Sequence, residues 1–169
     1  MLFLTEADIR YQDSYLDGMR EFQAEGRYID WMIEELVAQF PRFVHNLHAR
    51  KTHPQPGNVP ETVYWLVEDE TFIGRLSLRH GLTEGLNLLG GNIGYEIRPS
   101  RRRRGYGTAI LRLGLEKARD LGLERVLVTC DDTNIGSIKI IEANGGVWQN
   151  TNAVPGHSVP VRRYWITLA

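Results

Sequence analysis

Little in this sequence suits covalent or metal chemistry. It has a single cysteine, Cys130, so neither an internal disulfide nor a cysteine-rich zinc site can form. The five histidines (His45, His48, His53, His80 and His157) contain no HExxH spacing. His45 and His48 stand one helical turn apart without a carboxylate neighbour, so no metal site is expected. No run approaches about eighteen apolar residues, the length a spanning helix needs. The first residues, MLFLTEADIRYQ, lack a basic leader and a long apolar stretch, so they do not read as a signal peptide and a cytoplasmic location is expected. Charge of either sign is not in surplus either: the net value is −1, where a dedicated nucleic-acid binder is usually basic. Neither a nucleic-acid partner nor a membrane surface is therefore expected. Repeats, low-complexity tracts and linkers are missing too. The 169 residues, 42% hydrophobic and 24% charged, read as one globular domain over 1–169.

Periodicity gives the order of elements. Leu2–Thr5 is a short apolar strand, and Thr5 or Asp8 can cap a helix running to about Glu25. From Ile29 to Leu47 apolar residues recur at helical spacing, with Pro41 expected to kink or divide the segment. HPQPGNVP is a loop. Thr62–Val67 and Phe72–Leu78 are strands around the acidic turn EDET, followed by GLTEGLNLLGG, read as a long connection. Asn92–Arg98 is a strand stopped by Pro99. Tyr106–Leu121 is a helix ended by Gly122. Arg125–Cys130 is an almost wholly apolar strand, as a central strand covered on both faces should be. Asn134–Ala143 is a helix, and Val147–Asn150 and Val161–Leu168 are the closing strands.

The distinctive chemistry sits where a strand feeds a helix, in GYEIRPSRRRRGYGTAI from Gly94 to Ile110. A helix start leaves backbone N–H groups unpaired, and Gly105 and Gly107, lacking Cβ, let a ligand come close to them. The helix dipole and Arg101–Arg104 add positive potential, which together suits a phosphate or pyrophosphate. The loop is neither GxxxxGK[ST] nor GxGxxG. It reads Arg102-Arg103-Arg104-Gly105-Tyr106-Gly107, an R-x-x-G-x-G directly after a strand.

That loop resembles the pyrophosphate loop of the GNAT superfamily of acyl-CoA-dependent acyltransferases. A second segment, Asn134 to Gly146, is similar to the family's N-x-x-S-x-x-x-x-E-x-x-G stretch. The likeness runs over about 61–148 and is greatest to the ribosomal-protein-type and predicted-acetyltransferase branches. It implies a mixed, largely antiparallel α/β sheet of six to seven strands, splayed at strands 4 and 5 and flanked by about four helices. It also implies an N-acetyltransferase using acetyl-CoA, with no metal, acting on the amine of a small molecule or a protein as monomer or homodimer. By the same resemblance, Tyr95, Glu96 and Ile97 lie along the pantetheine, with the Ile97 N–H toward the acyl carbonyl. Arg102, Arg103, Arg104, Gly105, Tyr106, Gly107 and Thr108 wrap the pyrophosphate, and Asn134 and Ser137 meet the pantetheine or sulfur. Many relatives carry a proton-donating tyrosine where this chain has Ile141, which leaves Ser137 as the thiolate's donor. Glu96, His80 and Asp131 are the candidate bases. Alternation places Glu96 on the sheet face opposite Tyr95 and Ile97.

Other readings stay beside this one. The loop glycines can mark an ordinary tight turn, Asn134 a simple helix cap, and Asp131 and Asp132 a turn. Tyr11, Tyr28 and Trp31 are core residues or the lining of an acceptor cleft. Glu25, Asp30, Glu34 and Glu61 suit a cationic amine, or are solvated helix faces. A longer acyl group, a hydroxyl acceptor, or a non-catalytic acyl-CoA sensor are the alternative functions.

Overall fold

In the computed structural model, which describes residues 1–168, the alternating segments pair into a seven-stranded sheet. In chain order the elements are β1 (Leu2–Glu6), α1 (Gln12–Ala24), α2 (Ile33–Ala38), α3 (Phe40–Ala49), β2 (Glu61–Glu68), β3 (Thr71–Arg79) and α4 (Glu84–Leu88). Then follow β4 (Ile93–Ile97), α5 (Tyr106–Asp120), β5 (Arg125–Asp131), α6 (Ile135–Ala143), β6 (Val147–Asn152) and β7 (Val161–Thr167). The sheet order is β1-β2-β3-β4-β5-β7-β6. Every neighbouring pair is antiparallel except β4 and β5, which are parallel.

Side-chain alternation divides the interior into two cores, one on each face of the sheet. On one face Leu76, Ile93, Val128 and Ile166 pack under Ile110, Leu111 and Leu115 of α5 and Ile138 and Ile141 of α6. On the other, Val63, Trp65, Val67 and Phe72 meet Tyr15, Met19 and Phe22 of α1 and Phe40 and Val44 of α3. Tyr15 stacks on Trp65 with ring centroids 4.5 Å apart and meets Phe72 edge-on at 4.9 Å. Removing the fully buried Trp65 ring is expected to cost about 3–5 kcal/mol.

Two local expectations change. The periodic stretch from Ile29 is not one helix. Gly26 and Tyr28 take positive φ (81° and 52°) and turn the chain, so that helix begins only at α2. Pro41 then divides the segment by starting α3, where its missing N–H is harmless. GLTEGLNLLGG contains α4, whose N-cap Thr83 accepts a hydrogen bond from the Leu86 N–H at 3.1 Å. These two short helices raise the count from about four to six.

Candidate functional site

The site begins as unequal pairing along β4. Its register with β3 covers five positions, Gly74–Ile97 through Leu78–Ile93, while its register with β5 is the single pair Ile93–Val128. Buried Asn92 zips the closed end. Its N–H donates to the Leu127 carbonyl at 2.8 Å, and its Oδ1 accepts from the Leu127 N–H at 2.8 Å. Beyond Ile93 the two strands diverge.

The phase of the β3 ladder decides which backbone groups face that gap. Arg79 N–H donates to the Asn92 carbonyl at 2.7 Å, and Arg98 N–H donates to the Ile73 carbonyl at 2.8 Å. Even-numbered β4 residues therefore exchange bonds with β3. Tyr95 and Ile97 turn their N–H and C=O groups toward β5, where no register continues.

A cleft of about 520 Å³ opens there. It is lined by Tyr95, Glu96 and Ile97 of β4, by Arg102, Arg103, Gly105, Gly107 and Thr108 of the following loop and helix, and by Asn134 and Ser137 at the start of α6. Arg27, Gly136 and Ile140 complete the wall, and sequence reasoning had missed them. The signal for Arg27 was a lone cation just after the Gly26 that ends α1. For Gly136 and Ile140 there was none beyond their place in the second motif.

Two helix N-termini face the cleft and differ in kind. In α5, Gly105 (φ 83°) is the N-cap, no side chain caps the helix, and no acidic residue lies in its first turn. Its first N–H groups and its positive dipole end thus remain available to an anion. In α6 the Asn134 side chain accepts from the Ser137 N–H at 3.0 Å, so that N–H is already taken by a side-chain cap. Gly107 also serves packing, since a Cβ there would meet Ile140 Cδ1 at 2.4 Å.

The arginines separate. Arg102 is committed: its two terminal nitrogens donate to Glu25 at 2.7 and 3.0 Å, and its Nε donates to the Ile97 carbonyl at 3.0 Å. It braces the loop against α1. Arg103, with φ 58°, lines the cleft, whereas exposed Arg104 does not. The Tyr106 ring also points elsewhere, its hydroxyl donating to Glu68 on β2.

The three candidate bases are not brought together. Glu96 lies on the face opposite Tyr95 and Ile97, as alternation required. There its carboxylate pairs with Arg27, accepts from the Tyr28 hydroxyl at 2.6 Å, and lies 3.8 Å from Arg75. Burial, and then the Glu96 hydrogen bond, push the Tyr28 hydroxyl up to about 12. His80 follows β3, five residues beyond the Glu96 partner Arg75, or roughly 16 Å at ~3.3 Å per residue. It lines no part of the cleft. It bonds Thr62 at 2.8 Å, and burial lowers its pKa. Asp131 pairs with His157 at 2.6 Å, also outside the cleft lining. Tyr11 is core, 1% exposed, while Trp31 lines a separate groove between α2 and α3. Glu25 and Glu61, read as partners for a cationic amine, are already engaged, Glu25 by Arg102 and Glu61 by Ser77 and Arg50.

The model of one known family, described as an acetyltransferase (GNAT) domain, matches residues 12–147. The chain belongs to that family. RimJ of Mycobacterium smegmatis, solved with CoA-disulfide, shares 18% identity and a TM-score of 0.71 over 98% of this chain and 81% of its own. The ribosomal L7/L12 α-N-protein acetyltransferase RimL, solved with coenzyme A, gives 18% and 0.70 over 98% and 93%. The microcin C7 self-immunity acetyltransferase MccE, solved with acetyl-CoA and AMP, gives 14% and 0.66 over 98% and 92%. At these identities the likeness establishes the GNAT fold. A search of curated proteins found no match. Among the described residues no helix is long and apolar enough to cross a membrane, and no group of three His, Cys, Asp or Glu side chains could hold a metal.

Proposed function

We propose that this GNAT protein is an N-acetyltransferase that moves an acetyl group from acetyl-CoA directly to a primary amine. The observation that carries this reading is the divergence of β4 from β5 beside an uncapped, glycine-led helix N-terminus. A long thiol-bearing arm fits between the strands, and a pyrophosphate fits the helix end. Acetyl-CoA supplies the acetyl group activated as a thioester.

In this reading each part of the cleft has its own task. The α5 N–H groups and Arg103 hold the pyrophosphate, while Arg102 keeps the loop in place. The Ile97 N–H, turned away from β3, is the oxyanion donor. Asn134 orders the start of α6 and so presents Ser137 to the sulfur. An amine with pKa near ~10 must lose a proton before it attacks. Glu96 is the carboxylate in the cleft, and it takes that proton directly or through water, with Tyr28, Arg27 and Arg75 fixing its orientation. His80 and Asp131, both engaged outside the cleft, are left with structural tasks.

The acceptor is a small-molecule amine or a protein N-terminus. The second is supported by neighbours such as RimL, which acts on ribosomal L7/L12. The protein is read as working in the cytoplasm, as monomer or homodimer. Two measurements test the proposal: thermal melting with acetyl-CoA, and free-thiol release with a panel of amines and peptides. Acetyl-CoA is expected to raise the melting temperature. No shift at millimolar acetyl-CoA would overturn coenzyme binding, and a shift without thiol release from any amine would leave a binding protein instead of an enzyme.

A further inference from the structure

Among the described residues, two buried side-chain polar atoms have no hydrogen-bond partner: the hydroxyls of Tyr11 and Tyr95. Tyr11 lies in the α1-side core and lines neither the cleft nor the groove between α2 and α3. Tyr95 lines the cleft, on the sheet face that carries Ile97 and α6. Buried hydroxyls are nearly always paired, so an orphan in a cleft wall marks a place where a ligand atom can accept.

Its surroundings indicate which atom. Burial pushes the Tyr95 hydroxyl up to about 12, the Ser137 hydroxyl acts in the opposite direction, and Cys130 raises it further. Tyr95 reaches the cleft wall from β4 and Ser137 from the start of α6, so both residues line the same cleft. Ile141, where many relatives place a donor tyrosine, is fully buried and has no proton to give. The other ionisable groups lining the cleft are Arg27, Glu96, Arg102 and Arg103. Of these, Glu96 belongs to the opposite face, and the two loop arginines lie beyond the end of β4.

We propose that Tyr95 is a second hydroxyl donor, beside Ser137, to the sulfur of coenzyme A, a role that rests on the acetyl-CoA reading above. As the carbon–sulfur bond breaks, the electron pair stays on sulfur, and the resulting thiolate accepts hydrogen bonds from Tyr95 and Ser137. An ordinary thiol has a pKa near ~8.5, well below that of the phenol, so Tyr95 donates a hydrogen bond and keeps its proton. The thiolate is protonated by solvent after it departs.

The test is calorimetric binding of CoA and of desulfo-CoA between about pH 6 and 9, to the parent protein and to Tyr95→Phe. A thiolate-binding site makes CoA bind tighter as pH rises, while desulfo-CoA affinity stays flat. Tyr95→Phe should lose roughly tenfold of that pH-dependent gain and bind desulfo-CoA as the parent does. Its melting temperature should match or exceed the parent's, because the hydroxyl it loses has no protein partner. An unchanged CoA profile in Tyr95→Phe overturns the proposal, and so does a melting temperature several degrees lower, which would make the hydroxyl structural. If the parent binds neither probe, it is the coenzyme reading that fails.

Discussion

The two edges of β4 do opposite work. Toward β3 it is paired at five positions, and the seam is so close that a Cβ on Gly74 would lie 2.4 Å from the Glu96 carbonyl oxygen. Toward β5 it is paired once, and the backbone of Tyr95 and Ile97 is left facing a cleft. A strand can be rigid and still present unpaired groups, provided its other edge is fully held. The closed seam fixes where the open edge points.

Breaking the closed seam should have the largest effect. Gly74→Val drives side-chain atoms into the β4 backbone and is expected to cost about 3 kcal/mol or more of stability, read by denaturant unfolding. A variant as stable as the parent would show that the seam has slack. On the open side, Gly105→Val forces a β-branched residue into φ 83° at the α5 N-cap. It should cost about 1–3 kcal/mol of stability and at least roughly tenfold in acetyl-CoA affinity, and parent-like affinity would contradict the assignment of the loop. Asn134→Ala removes the cap of α6, for about 1 kcal/mol of stability. A fall of several-fold in coenzyme affinity would come with it, and calorimetry separates the two effects.

The smallest effect concerns the turn that follows β4, where Glu21 meets Arg98 and Ser100. Burial acts to raise the pKa of Glu21, but hydrogen bonds from the Ser100 N–H, the Arg98 guanidinium and the Ser100 hydroxyl outweigh it and lower the value. A carboxylate with a depressed folded pKa contributes stability that is present above its ordinary value, near ~4.3, and lost as pH falls through the folded value. The stability gap between the parent and Glu21→Gln should therefore shrink below about pH 4. A gap constant down to pH 2 would mean that the Glu21 contacts do not hold the turn.

Much of this site was legible because its parts are local. A strand, a proline corner, two glycines and a helix occupy one stretch from Gly94 to Ile110, and Asn134 with Ser137 lie within one helix start. The surroundings of Glu96 were not legible. Arg27 and Tyr28 reach it across 69 and 68 residues, and Arg75 lies across the β3–β4 ladder. Strand alternation gave the face of Glu96, yet no spacing rule names what packs there. The same holds for Asp131, whose partner His157 comes from the loop before β7. Helix α4 was hidden for a different reason: at five residues it is too short to show a period.

The sequence by itself determined the order of the seven strands and of α1, α5 and α6, the phosphate-suited loop and the face on which each β4 side chain lies. These follow from chain-local periodicity and from the steric freedom of glycine. Only the tertiary structure decided that β4 parts from β5 after one pair, that Arg102 braces the loop while Arg103 is left at the cleft, and that Tyr95, in the cleft wall, keeps an unpaired hydroxyl. Those outcomes depend on which distant groups satisfy one another's hydrogen bonds and charges, and that is settled when the sheet and its two layers of helices pack.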